Sequence, residues 1–206
     1  MYIEYCVYDK YIEDYSKEIQ NVFTAIGYDV DGLCLPIHLV REVKEYIPPD
    51  LIISCPIDYP IGYSCSKTRY SMVLNALKSG ANAIDYVPNH YFLRSKFTEL
   101  SKEIKAILNM CKDYKATLRL FLDYHNYGNV ITIAKAYNEL GVDIMFPTIG
   151  YHHDDFFDNI ITSKTIEDKT NISIIFNGYT WMDSQIELIK ETNIFGLRVY
   201  NLQLLV

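Results

Sequence analysis

Leu77-Lys78-Ser79-Gly80-Ala81-Asn82-Ala83-Ile84-Asp85-Tyr86-Val87 reads as the end of a helix, a glycine stop and a short apolar strand. Glycine tolerates the left-handed conformation that closes a helix, so Gly80 marks the boundary. The order recurs in Asn138-Glu139-Leu140-Gly141-Val142-Asp143-Ile144-Met145-Phe146. Working outward, short apolar runs alternate with longer amphipathic stretches, the pattern of repeated βα units and a parallel sheet. The runs are Ile3 to Tyr8, Gly32 to Leu35, Leu51 to Ser54, Ala83 to Val87, Thr117 to Asp123, Asp143 to Phe146, Ile172 to Phe176 and Phe195 to Val199. Helices are expected over Tyr15 to Ile26, Ile37 to Tyr46, Lys67 to Ser79, Arg94 to Asp113, Val130 to Leu140, Phe156 to Glu167 and Asp183 to Glu191. Eight strands joined by crossovers predict an α/β fold, a closed (β/α)8 TIM barrel forming one domain over residues 1–206. Only Asn201 to Val206 follow the last strand, so most of the helix after strand eight is expected to be missing. The uncovered flank is a candidate subunit contact for a homo-oligomer.

The 206 residues are 50% hydrophobic and carry a formal net charge of -7. That balance supports one sizeable core and gives no basic stripe, which argues against nucleic-acid and anionic-membrane partners. Five cysteines without a CxxC pair make neither a disulfide framework nor a zinc pattern, and point to a reducing cytoplasm. The start of the chain shows no basic region followed by a long apolar stretch, and no segment approaches the length of a membrane span. No GxGxxG follows the first strand and no GxxxxGK[ST] occurs, so no cofactor is called for.

Sites in parallel α/β proteins lie beyond the carboxyl ends of the strands. All five histidines, His38, His90, His125, His152 and His153, fall a few residues past such ends. Asp85 shares a strand face with Ala83, while Arg119, Phe121 and Asp123 share one face of the next strand. A carboxylate inside a barrel is costly unless paired, so Asp85, Arg119 and Asp123 are either an ion-pair ladder that fills the barrel or groups that face a ligand. A metal held by Asp85, Asp123, His125 and one of His152 or His153 is an alternative without an HExxH-type motif behind it. Gly178 after strand seven, with Gly196 and Arg198 in strand eight, occupies the neighbourhood where many barrels bind phosphate. Either Cys55 or Cys65, flanking the loop after strand three, is reactive only with a neighbouring cation, and the sequence supplies no dedicated one.

With the strands placed, the chain resembles the deoxyribose-phosphate aldolase family of class I aldolase barrels. Ile3-Glu4-Tyr5 is similar to the family's Ile-Asp-His, and Gly32-Leu33-Cys34-Leu35-Pro36 to Val-Cys-Val-x-Pro. Tyr59-Pro60-Ile61-Gly62 is similar to Phe-Pro-Leu-Gly, and Ser79 to Asn89 to Asn-Gly-Ala-Asp-Glu-Ile-Asp-Met-Val-Ile-Asn. The resemblance implies a proton-transfer role for Asp85. Leu140 to Gly150 lines up with Ala-Gly-Ala-Asp-Phe-Val-Lys-Thr-Ser-Thr-Gly and places Phe146 at the family's Schiff-base lysine. A second family lysine falls on Ile174, and the loop arginine after the strand-seven glycines is gone.

Imine chemistry needs an amine whose pKa is lowered by its surroundings. The expectation is therefore an aldolase-like barrel without Schiff-base turnover that binds a small ligand, a sugar phosphate by resemblance, or a partner. The alternative is a carbon-carbon lyase or sugar-phosphate isomerase. It would use Asp85 as acid or base, with Lys10 or Lys67 as a relocated lysine, or with Arg119 or a metal as electrophile.

Overall fold

The computed structural model describes residues 1–7, 14–126, 128–150, 155–177 and 182–205. Its strands are β1 (Tyr2–Cys6), β2 (Gly32–Cys34), β3 (Ile52–Ile57), β4 (Ala83–Tyr86), β5 (Thr117–Phe121), β6 (Ile144–Phe146), β7 (Ser173–Asn177) and β8 (Gly196–Val199). They pair in chain order, all in parallel, and β8 closes onto β1 through Glu4 opposite Arg198. The TIM barrel read from the βα period is thus the architecture found. The helices are α1 (Tyr15–Gly27), α2 (Ile37–Val43), α3 (Ser66–Ser79), α4 (His90–Ser95), α5 (Phe97–Asp113), α6 (Val130–Glu139), α7 (Phe156–Lys169) and α8 (Asp183–Glu191).

Alternation along each strand divides the core in two. Tyr5, Leu33, Ile53, Ile84, Leu118, Met145, Ile174 and Leu197 belong to the apolar layer shared with the helices. Val87, Phe121, Phe146, Ile149 and Ile175 form a separate cluster inside the barrel. Gly80, with φ 109, caps α3 in the left-handed region as its sequence position predicts.

Several boundaries differ from the expectation, and three do so by more than two residues. The helix expected over Arg94 to Asp113 is two: Asn89 caps α4 by accepting from the Phe92 amide, and the extended φ of Lys96 separates α4 from α5. Strand β3 runs on to Ile57 and includes Pro56. β2 ends at Cys34 opposite Ser54, so Pro56 lies beyond the last rung on that side and the missing N–H breaks no pairing. Helix α2 stops at Val43, short of Pro48 and Pro49. After β8 the described residues make a 3-10 turn, Leu202–Leu205, which packs on α1. Ile3, Leu197, Val199 and Leu204 line a shallow groove along this flank.

Candidate functional site

The centre of the barrel holds four charged side chains from four strands. Glu4, Asp85, Arg119 and Arg198 are all at most 2% exposed. Arg119 donates from Nη1 to Glu4 Oε2 at 2.7 Å and from Nε to Asp85 Oδ1 at 2.6 Å. Arg198 donates from Nε to Glu4 Oε1 at 2.7 Å, and its Nη2 reaches Asp85 Oδ2. Tyr2 Oη adds a 2.7 Å hydrogen bond to Glu4, and the Cys34 thiol donates to Asp85 Oδ2 at 3.8 Å. Two carboxylates thus face two guanidiniums, and the cluster is neutral. Burial alone would push the Asp85 carboxyl up, but the charges and hydrogen bonds of Arg119 and Arg198 outweigh it and hold it below the usual carboxylate range. Burial opposes the charge on both guanidiniums as well. The carboxylates of Asp85 and Glu4, which face both of them, keep them protonated.

Aromatic rings seal the cluster toward the carboxyl end. The Phe146 ring lies 4.1 Å from the Arg198 guanidinium carbon and 5.2 Å from that of Arg119. Phe121 stacks on Phe146 at 4.5 Å. A guanidinium against a ring face is held by the ring quadrupole, and here both charges are already desolvated. Above them Tyr59 tilts against Phe121 at 5.6 Å and donates to the Ile149 carbonyl at 2.6 Å, tying the β3 loop to the β6 loop. Asn177 donates to the Thr148 carbonyl at 2.9 Å beside it.

The sequence-derived site is therefore partly assembled. Asp85 and Arg119 meet, as one of the two readings of their spacing expected, and they do so as members of a four-charge cluster. Asp123 is not part of it. It sits past the end of β5 with φ 51, and its Oδ2 lies 3.9 Å from His90 Nε2. Burial lowers the pKa of His90 against the opposing pull of Asp123. Arg198 faces Glu4 and Asp85. Gly196 opens β8 at the amino-terminal end of the barrel, where an added Cβ would lie 3.0 Å from the Tyr2 ring. Gly196 thus lies away from the carboxyl strand ends, where the phosphate is expected, with the Tyr2 ring against it. Gly178 and His152 lie outside the described residues, as do His153 and Lys10. His125 sits exposed in a 3-10 turn against the Tyr124 ring, at 4.0 Å.

Ile174 is the position to which the resemblance assigns a second lysine. It packs in the outer layer, whereas Ile175 faces inward beside Phe146. β6 and β7 pair Ile144 with Ser173 and Met145 with Ile174, which leaves Ile175 level with Phe146. Sequence reasoning missed Glu4 as a cluster member, although its alternation with Tyr2 and Cys6 marks it as inward. Among the described residues, Glu4, Cys34 and Asp85 form the one trio of potential metal ligands within 4.8 Å of one another. Arg119 and Arg198 already take up both of its carboxylates, so this donor set does not suit a cation.

No model of a protein family matches the chain. The chain is 31% identical over 99 residues to a deoxyribose-phosphate aldolase of Streptococcus agalactiae serotype Ia, covering 47% of this chain and 44% of that protein. The match thus spans less than half the length of the curated relative. A putative deoxyribose-phosphate aldolase structure from Coccidioides immitis superposes with a TM-score of 0.81 at 17% identity, covering 95% of this chain and 79% of that one. A tetrameric deoxyribose phosphate aldolase from Aeropyrum pernix gives 0.80 at 14% identity, covering 95% and 84%. These two structures show the same barrel fold.

Proposed function

We propose that this chain, which belongs with the deoxyribose-phosphate-aldolase-like barrels, performs no Schiff-base chemistry and acts by binding a small ligand at the barrel mouth. The observation that carries the reading is the Phe146 ring packed on two guanidiniums, at the place on β6 that the resemblance gives to the reactive lysine. None of the eight strands contains a lysine, and the neighbouring inward position on β7 is Ile175. An apolar ring there offers no nucleophile. Asp85, held ionised by two arginines, has no proton to donate near neutral pH and is a weak base.

Ligand recognition falls to the polar groups at the strand ends, Asp123 with His90, and Thr148 with Asn177. A sugar phosphate is the ligand class the relatives suggest, and self-association follows the same likeness. Treatment with borohydride and 2-deoxyribose 5-phosphate or acetaldehyde is expected to leave the protein mass unchanged; a reduced adduct on any lysine overturns the proposal. Turnover in a sugar-phosphate panel would favour the lyase or isomerase alternative. A solution mass equal to one chain would remove self-association.

A further inference from the structure

Two thiols beside the charge cluster have no part in the function proposed above. Cys6 ends β1 and Cys34 ends β2, and the two are register partners on adjacent parallel strands. Both share the inward parity of Glu4, and both are buried with Tyr200 in a small cluster of their own. The two thiols thus sit side by side on the inner face of the barrel. Aligned Cα atoms on neighbouring strands lie about 4.8 Å apart, inside the disulfide range of about 4.4–6.8 Å.

Two kinds of chemistry suit a buried thiol pair, and the surroundings favour one. A structural zinc ion takes four ligands, and the nearest further donors, Glu4 and Asp85, are engaged by Arg119 and Arg198. Oxidation to a disulfide leaves the net charge unchanged, which matters next to a cluster that is already neutral. We propose that Cys6 and Cys34 are a redox-active dithiol that hydrogen peroxide closes into a disulfide.

The Cys6 sulfur attacks the peroxide, the O–O bond breaks, and a sulfenic acid forms on Cys6 with release of water. The Cys34 sulfur then attacks the Cys6 sulfur. The S–S bond forms, the S–O bond breaks, and the Cys34 proton leaves with the second water. The two thiols together give up two electrons, which the peroxide accepts. The Cys34 S–H is engaged by Asp85, so Cys34 acts second. Closing the bond removes the S–H that Cys34 donates to Asp85, so oxidation is felt in the charge cluster.

The test uses the full reduced chain, exposed natively to hydrogen peroxide, quenched with catalase, denatured and alkylated with N-ethylmaleimide. Untreated protein takes five labels, one for each cysteine. Oxidised protein in a Cys65→Ser background, which removes the exposed thiol, is expected to lose two labels together. Peptide mapping should show Cys6 joined to Cys34, and reductant should restore both labels. In a further Cys6→Ser variant, Cys34 should keep its label. Full labelling of Cys6 and Cys34 after peroxide, or loss of the Cys34 label without Cys6, overturns the proposal.

Discussion

At the scale of single residues, the barrel interior is governed by the cost of burying charge. Glu4, Asp85, Arg119 and Arg198 are tolerated there because each satisfies another, and removing one member leaves a desolvated charge behind. Asp85→Asn should lower the unfolding free energy in urea at pH 7 by about 3–5 kcal/mol. The same residue sets a pH dependence. The folded pKa of Asp85 is depressed, so its contribution is present above the unfolded value and is lost as pH falls through the folded one. The stability gap between the natural protein and Asp85→Asn should therefore persist at pH 5 to 7 and shrink below about pH 4; a constant gap down to pH 2 would contradict it. Asp85 and Arg119 were legible as inward partners from strand alternation alone. Glu4 was equally readable by parity but lies far off in sequence, and its partner Arg198 is on the last strand, so nothing local announced the pair.

At the scale of elements, local chemistry set most boundaries, and it failed where a neighbour decided. Gly80 and Gly141 end their helices with φ 109 and 98, in backbone that side chains rarely adopt. An added Cβ at Gly141 meets only Leu108 Cδ1, at 4.0 Å, whereas at Gly80 it would lie 2.9 Å from the Lys44 side chain. Gly141→Ala thus isolates the backbone strain. It should cost about 1–3 kcal/mol in thermal or urea unfolding, with Gly80→Ala costing at least as much; a neutral Gly141→Ala would refute this. The Asp155 side chain caps α7 by accepting from the Phe157 and Asp158 amides, and Asp155→Ala should cost about 1 kcal/mol by the same measurement. The division of α4 from α5 at Lys96 carried no such mark. Neither glycine nor proline stands there, and the break is a change of direction between two helices packed against each other.

At the scale of the whole molecule, closure joins the two ends of the chain. β8 pairs with both β1 and β7, and Arg198 bridges Glu4 to Asp85 across the interior. Deleting the chain from Phe195 onward should abolish the cooperative thermal transition seen by circular dichroism. It opens two strand edges and leaves two buried carboxylates to one guanidinium; a truncated chain that still melts sharply would show that closure is dispensable. The sequence by itself determined the βα period, the strand count, the barrel, the inward parity of Asp85 and Arg119, and the apolar residue at Phe146, because these depend on alternation and helix stops within short stretches. Only the tertiary structure decided that Arg198 belongs to the charge cluster, that Gly196 accommodates Tyr2, that Ile175 rather than Ile174 faces inward, and that Cys6 meets Cys34. Each of those depends on the register between strands, which is fixed by closure and packing of the whole ring, and no single strand encodes it.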